Sequence, residues 1–75
     1  MLLELKRFIA VIEEGSFTKA SQKLFITQPA LSQAVKRLEK EVGAILLKRV
    51  GRRFVLTKDG EAVYHTALQM AKLWA

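Results

Sequence analysis

A chain of 75 residues makes one small domain, and with 51% hydrophobic and 27% charged residues it is too apolar to be a disordered basic tail. Cysteine is absent, so neither disulfides nor thiolate metal sites reinforce it, and no apolar run reaches the ~20 residues that a membrane span requires. A core this small is marginal and calls for efficient helix packing or a partner subunit. Met1-Leu2-Leu3-Glu4-Leu5 carries acid where a secretion signal carries base, and with the missing cysteine this fits the cytoplasm. Thirteen Lys and Arg against seven Asp and Glu leave a net charge of +6. All of that excess falls in residues 27–58; residues 1–26 carry a net +1 and residues 59–75 a net −1. Concentrated charge of this kind marks a polyanion-binding surface.

Four helical patterns and one hairpin account for the chain. Leu5, Phe8, Ile9 and Ile12 recur on one helical face, predicting a first helix from about Leu2 to Glu14 with Gly15 as its left-handed cap. A short second helix is expected to start at Thr18 as N-cap, with Phe17 packing back on it, and Ala20 and Leu24 sharing a face. Phe25 and Ile26 continue as an apolar corner. The third helix begins after Thr27, carries Pro29 in its first turn, buries Leu31, Val35, Leu38 and Val42, and ends at Gly43. Residues 44–57 read as two short strands, Leu47–Val50 and Phe54–Leu56, around the basic turn Gly51-Arg52-Arg53. Thr57 can cap a fourth helix running from Lys58 to the end, with Asp59 and Glu61 at its positive N-terminal end. Its stripes Val63, Ala67, Met70, Trp74 and Tyr64, Leu68, Ala71 make an apolar face wider than one small domain needs to cover.

Two helices joined by a tight corner make a helix-turn-helix, whose second helix enters a DNA groove. Opposite the buried stripe of the third helix fall Pro29, Gln33, Lys36 and Lys40, flanked by Ala30, Ser32 and Arg37, with no Asp or Glu among them. Glu39 and Glu41 flank the buried side instead. Gln28, Ser32 and Gln33 near the helix start are suited to base edges, and the Pro29 ring to a thymine methyl. Lys36, Arg37 and Lys40 suit phosphates, which position without reading sequence; Thr18 and Thr27 are grouped with them. A hairpin beside such a motif is a wing, and Arg49, Arg52 and Arg53 give it the charge to reach a minor groove.

The ordered set Glu14-Gly15-Ser16-Phe17-Thr18-Lys19-Ala20, Thr27-Gln28-Pro29-Ala30-Leu31-Ser32, Arg37-Leu38-Glu39, Val42-Gly43, Arg49, Gly51-Arg52-Arg53, Leu56-Thr57 and Gly60 resembles the N-terminal domain of LysR-type transcriptional regulators. The resemblance covers essentially the whole chain. It implies a mainly α fold: a winged helix-turn-helix over residues 1–57, three helices plus a short β-hairpin wing, followed by a long linker helix over 58–75. It implies sequence-specific binding of double-stranded DNA by a homodimer joined through the linker helices, with higher oligomers in a full-length regulator. By this resemblance Gln28, Pro29, Ser32 and Gln33 are the base-reading positions and Arg52 and Arg53 the wing arginines. It also implies that the chain is a piece of a longer regulator, whose effector domain would take a small-molecule co-inducer; no cofactor is expected in this domain. Three positions depart from the family pattern. Gln33 stands where many relatives carry Arg, which favours adenine or a water-mediated contact over guanine. Ser21 stands where Ala is usual, as a polar edge of the second helix. Leu47 stands where an aromatic is common, which alters packing under the wing.

An enzyme is not expected: the single histidine, His65, has no cysteine or carboxylate pair to work with, and the four glycines form no phosphate cradle. A membrane-surface helix needs a cationic polar face, which the fourth helix lacks. The competing reading is a helical protein–protein interaction module that uses the apolar fourth helix and does not bind DNA. Self-association through Val63, Ala67, Leu68, Met70, Ala71 and Trp74 is compatible with DNA binding and fits that helix better.

Overall fold

The computed structural model describes residues 1–51 and 53–74, the last for its backbone alone. The wing arginine expected at position 52 and the side chain of Trp74 thus lie outside the described residues. The described chain forms α1 (Leu2–Glu14), α2 (Phe17–Leu24), α3 (Gln28–Val42), β1 (Leu47–Val50), β2 (Arg53–Leu56) and α4 (Lys58–Trp74). The fold is mainly helical, a winged helix-turn-helix with a following helix.

Local chemistry divides the helices. Gly15 and Gly43 close α1 and α3 in left-handed backbone, at φ 69° and 73°, where a Cβ is disfavoured. Thr27 is extended and its hydroxyl accepts from the Ala30 N–H at 3.2 Å, capping α3 ahead of Pro29. The expected cap of α2 is corrected: Ser16, not Thr18, is the N-cap, accepting from the Lys19 N–H at 3.1 Å. Ser16 is the residue with extended backbone just before the first helical turn, so Phe17 and Thr18 fall inside the helix. Ser21 is buried rather than a polar edge, and its hydroxyl donates to the Thr18 carbonyl at 2.8 Å, which satisfies it without a partner on another helix. Phe25 closes α2 in left-handed backbone at φ 56° and is 94% exposed, so the apolar corner reduces to Ile26.

The core lies where α1 crosses the other three helices. Leu5, Phe8, Ile9 and Val11 of α1 meet Ala20 of α2, Leu31, Val35 and Leu38 of α3, Leu46 and Ala67. Val42, expected in that stripe, is 37% exposed, because the last turn of α3 runs past the core; Ala34 is buried instead. The hairpin is antiparallel, with Leu47 opposite Leu56 and Val50 opposite Arg53, so β2 starts one residue earlier than predicted. Its base is tied to α4 through Thr57, whose hydroxyl donates to the Ile45 carbonyl at 2.6 Å and accepts from the Gly60 N–H at 2.9 Å.

Candidate nucleic-acid interface

Burying Leu31, Val35 and Leu38 turns the opposite side of α3 to solvent. Gln28, Pro29, Gln33, Lys36 and Lys40 are exposed there and Ser32 is half-buried. Glu39, beside Lys36 and Lys40, turns its carboxylate to the wing base, where Oε2 accepts the N–H groups of Leu46 at 2.8 Å and Leu47 at 3.3 Å. The same side chain fixes the start of β1 relative to α3 and commits its carboxylate to two backbone donors. At the other end of α3, Gln28 Nε2 donates to Thr18 Oγ1 at 2.6 Å, which locks the corner between the two helices of the motif.

The wing stands beside the first turns of α3. Arg49 is opposite Phe54 in the hairpin, and its guanidinium carbon lies 4.6 Å from the centroid of the Phe17 ring. Phe17 in turn meets Phe54 edge to face, with centroids 5.8 Å apart. Gln28, Pro29, Ser32 and Arg49 line one cleft between helix and wing. Ser16, Phe17, Thr18, Gln28, Arg49, Arg53 and Phe54 line its continuation. Among the described residues, no carboxylate pairs with Lys36, Lys40, Arg49 or Arg53. Arg49 and Arg53 in the cleft, with Lys36 and Lys40 further along α3 and none of the four paired with a described carboxylate, are an anion-binding arrangement.

Arg37 Nε lies 3.4 Å from Glu4 Oε2 and so braces α3 on α1, while its side chain stays 52% exposed. The Met1 ammonium, 2.9 Å from the other Glu4 oxygen, and the residue's own backbone N–H join Arg37 in holding this carboxyl down to about 2. The same contact raises the ammonium above 8.0.

Residues 2–61 match the family described as bacterial regulatory helix-turn-helix protein, lysR family. The chain belongs to this family. The HTH-type transcriptional regulator CysL of Bacillus subtilis (strain 168) is 49% identical over 70 residues, which are 93% of this chain and 23% of CysL. Among solved structures, the BenM_DBD/benA site 1 DNA complex superposes with a TM-score of 0.89 at 43% identity, covering 96% of this chain and 84% of that one. The CbnR_DBD-DNA complex gives 0.91 at 34% identity, covering 97% and 84%. The chain spans 23% to 48% of the length of the first curated relatives it matches.

In this lysR-family domain the expected dimerisation face divides in two. α4 packs back on α1, so Ala67 is 1% exposed and Val63 and Leu68 lie against the domain's own core. Of the residues expected to meet a partner, Ala67 is thus buried in the domain, and Leu68 and Ala71 are half-buried. What remains open is an apolar groove lined by Met1, Leu5, Val42, Ala62, Val63, Thr66, Ala67 and Met70, with Ala67 as its floor. Met70, 39% exposed, stands at its rim, and Leu73 further along α4 is 89% exposed.

Sequence reasoning missed Glu39 and Phe17 as parts of the interface. Glu39 had a signal, a carboxylate kept beside Lys36 and Lys40 just before the apolar run Ala44–Leu47. Phe17 had none beyond its place at the start of α2, since its partners Arg49 and Phe54 are more than thirty residues away. No helix among the described residues is long and apolar enough to cross a membrane.

Proposed function

We propose that this chain binds double-stranded DNA as the reading domain of a transcriptional regulator. α3 lies in the major groove, and the wing reaches the adjacent minor groove. The observation that carries this reading is the exposed face of Gln28, Gln33, Lys36 and Lys40 on α3, whose neighbouring carboxylate Glu39 is taken up by the wing base, beside the cleft of Arg49 and Arg53. Gln28, Pro29, Ser32 and Gln33, at the N-terminal end of α3, meet base edges. Thr18, Thr27, Lys36, Lys40, Arg49, Arg52 and Arg53 meet the backbone or the minor groove. Two copies join through α4, so that paired half-sites mirror the two-fold symmetry. A co-inducer acts through a domain other than this one, and a regulator of the bacterial chromosome works in the cytoplasm.

The test is a salt titration of duplex binding with a base-resolution footprint. Affinity falls with salt at a slope of about −0.9 per phosphate contact, and Lys36→Ala makes the slope shallower by about one contact. A salt-independent affinity refutes the reading. Self-association through the α4 groove without any duplex binding would favour the interaction-module reading instead.

A further inference from the structure

We propose that Phe17 is a positioning residue for Arg49, holding that guanidinium flat against its ring so that its N–H edge is presented to a phosphate between the two grooves. This rests on the DNA-binding reading above. A duplex that takes α3 in its major groove and the wing in its minor groove must pass the intervening sugar–phosphate backbone through the cleft between them. Arg49 occupies that cleft, sharing it with Gln28, Pro29 and Ser32 at the start of α3 and with Arg53 on the wing. No carboxylate pairs with it among the described residues. Its only aromatic support described is the Phe17 face, 4.6 Å away.

A stacked guanidinium keeps its five in-plane donors free, in the fork geometry that suits a phosphate. Phe17 is well placed to be the support. It is the first residue of α2, half-buried on the core, and its ring is fixed by edge-to-face contact with Phe54, the residue directly across the hairpin from Arg49. One ring thus sets the distance between the helix-turn-helix and the wing, and holds a long side chain in its bound rotamer before DNA arrives. Ordering that side chain in advance lowers the entropy lost on binding.

The test is a double-mutant cycle in the full chain with Arg49→Gln and Phe17→Leu. The probe is a mixed-sequence duplex three helical turns long, since a phosphate contact needs no operator. Arg49→Gln weakens binding and makes the salt slope shallower by about 0.9. Phe17→Leu weakens binding about two- to fivefold when Arg49 is present, and has no further effect in the Arg49→Gln background. Pentafluorophenylalanine at position 17 keeps the shape of the ring and reverses its electrostatics; it gives the same Arg49-dependent loss, and serves if Phe17→Leu does not fold. Equal losses in both backgrounds, or no loss with either replacement, overturn the proposal while leaving DNA binding intact. Absence of salt-dependent binding by the unaltered chain overturns the DNA reading and this proposal together.

Discussion

Gly60 lies so close to the carbonyl oxygen of Leu46 that a Cβ at this position would collide with backbone. The contact joins the first turn of α4 to the segment just ahead of the wing, and the Leu46 carbonyl also accepts the Thr57 N–H at 3.0 Å. The Leu56 side chain also crowds this point and could shift, but the Leu46 backbone could not without moving the wing base. Gly60→Ala is therefore expected to cost at least the ~1–3 kcal/mol typical of overpacking. Urea denaturation would measure it, and an unchanged midpoint would show that the junction can open.

Glu39 gives a prediction whose sign separates two roles. If this carboxylate merely repelled phosphates near Lys36 and Lys40, removing it would tighten DNA binding. Because it accepts the N–H groups of Leu46 and Leu47, Glu39→Ala instead strands two backbone donors, at a cost of about 1–3 kcal/mol of stability, and releases the wing. The expected outcome is a lower melting temperature together with weaker duplex binding by the folded protein. Tighter binding would assign the residue to simple repulsion.

The Glu4 carboxyl folds at about 2 against an ordinary 4.5, with the Met1 ammonium the largest cause. A depressed carboxyl stabilises the fold fully above its unfolded value and loses that contribution as pH falls. The window is from 4.5 down to 2. The Met1 ammonium is raised above 8.0, so its share is complete below pH 8.0 and goes as pH climbs through the raised value. Melting temperatures of the unaltered chain and of Glu4→Gln should differ at neutral pH and converge as pH approaches 2. A constant difference would show that Glu4 acts by packing rather than by charge.

Periodicity and caps made most of the fold legible before any coordinates. The limits of α1, α3 and α4 follow from residues such as Gly15, Thr27 and Gly43, whose effects are local, and the outward face of α3 follows from its buried stripe. The misses are non-local or rest on competition between neighbours. Ser16 and Thr18 are both good caps, and only the path out of Gly15 makes Ser16 the extended one. The angle that puts Arg37 on the cationic face says nothing of its contact with Glu4, thirty-three positions away. The apolar face of α4 is visible in sequence, but its division between the domain's own core and an open groove is not, because that depends on where α1 lies.

Gln33 is exposed on the outer face of α3, and no hydrogen bond of its side chain is described to other groups of the domain. A glutamine amide can pair with adenine through two hydrogen bonds, which a wrong base cannot reproduce, and such a pair is worth about 1–3 kcal/mol of discrimination. Gln33→Ala should therefore reorder the preference among duplex variants while leaving the salt slope unchanged, since no cation is lost. Competition between variants would read this out. An unaltered ranking would remove Gln33 from the reading positions.

The proposed dimerisation turns on the groove beside α4. Met70 stands at its rim, half-exposed, above Ala67, with Val42 of α3 and Met1 on the facing walls. Apolar walls around a small floor residue let a second helix approach closely, and burying them removes apolar surface worth about 25 cal/mol per Å² from water. A lysine at position 70 would carry an unpaired charge into that contact, whereas in the isolated domain its ammonium can reach solvent. Met70→Lys should thus lower self-association in sedimentation experiments with little effect on the melting temperature of the monomer. It should also weaken binding to a duplex carrying two half-sites more than to one carrying a single half-site, because only the paired site draws on the second subunit. Equal losses on both duplexes would mean that α4 serves the fold of one domain and not the pairing of two.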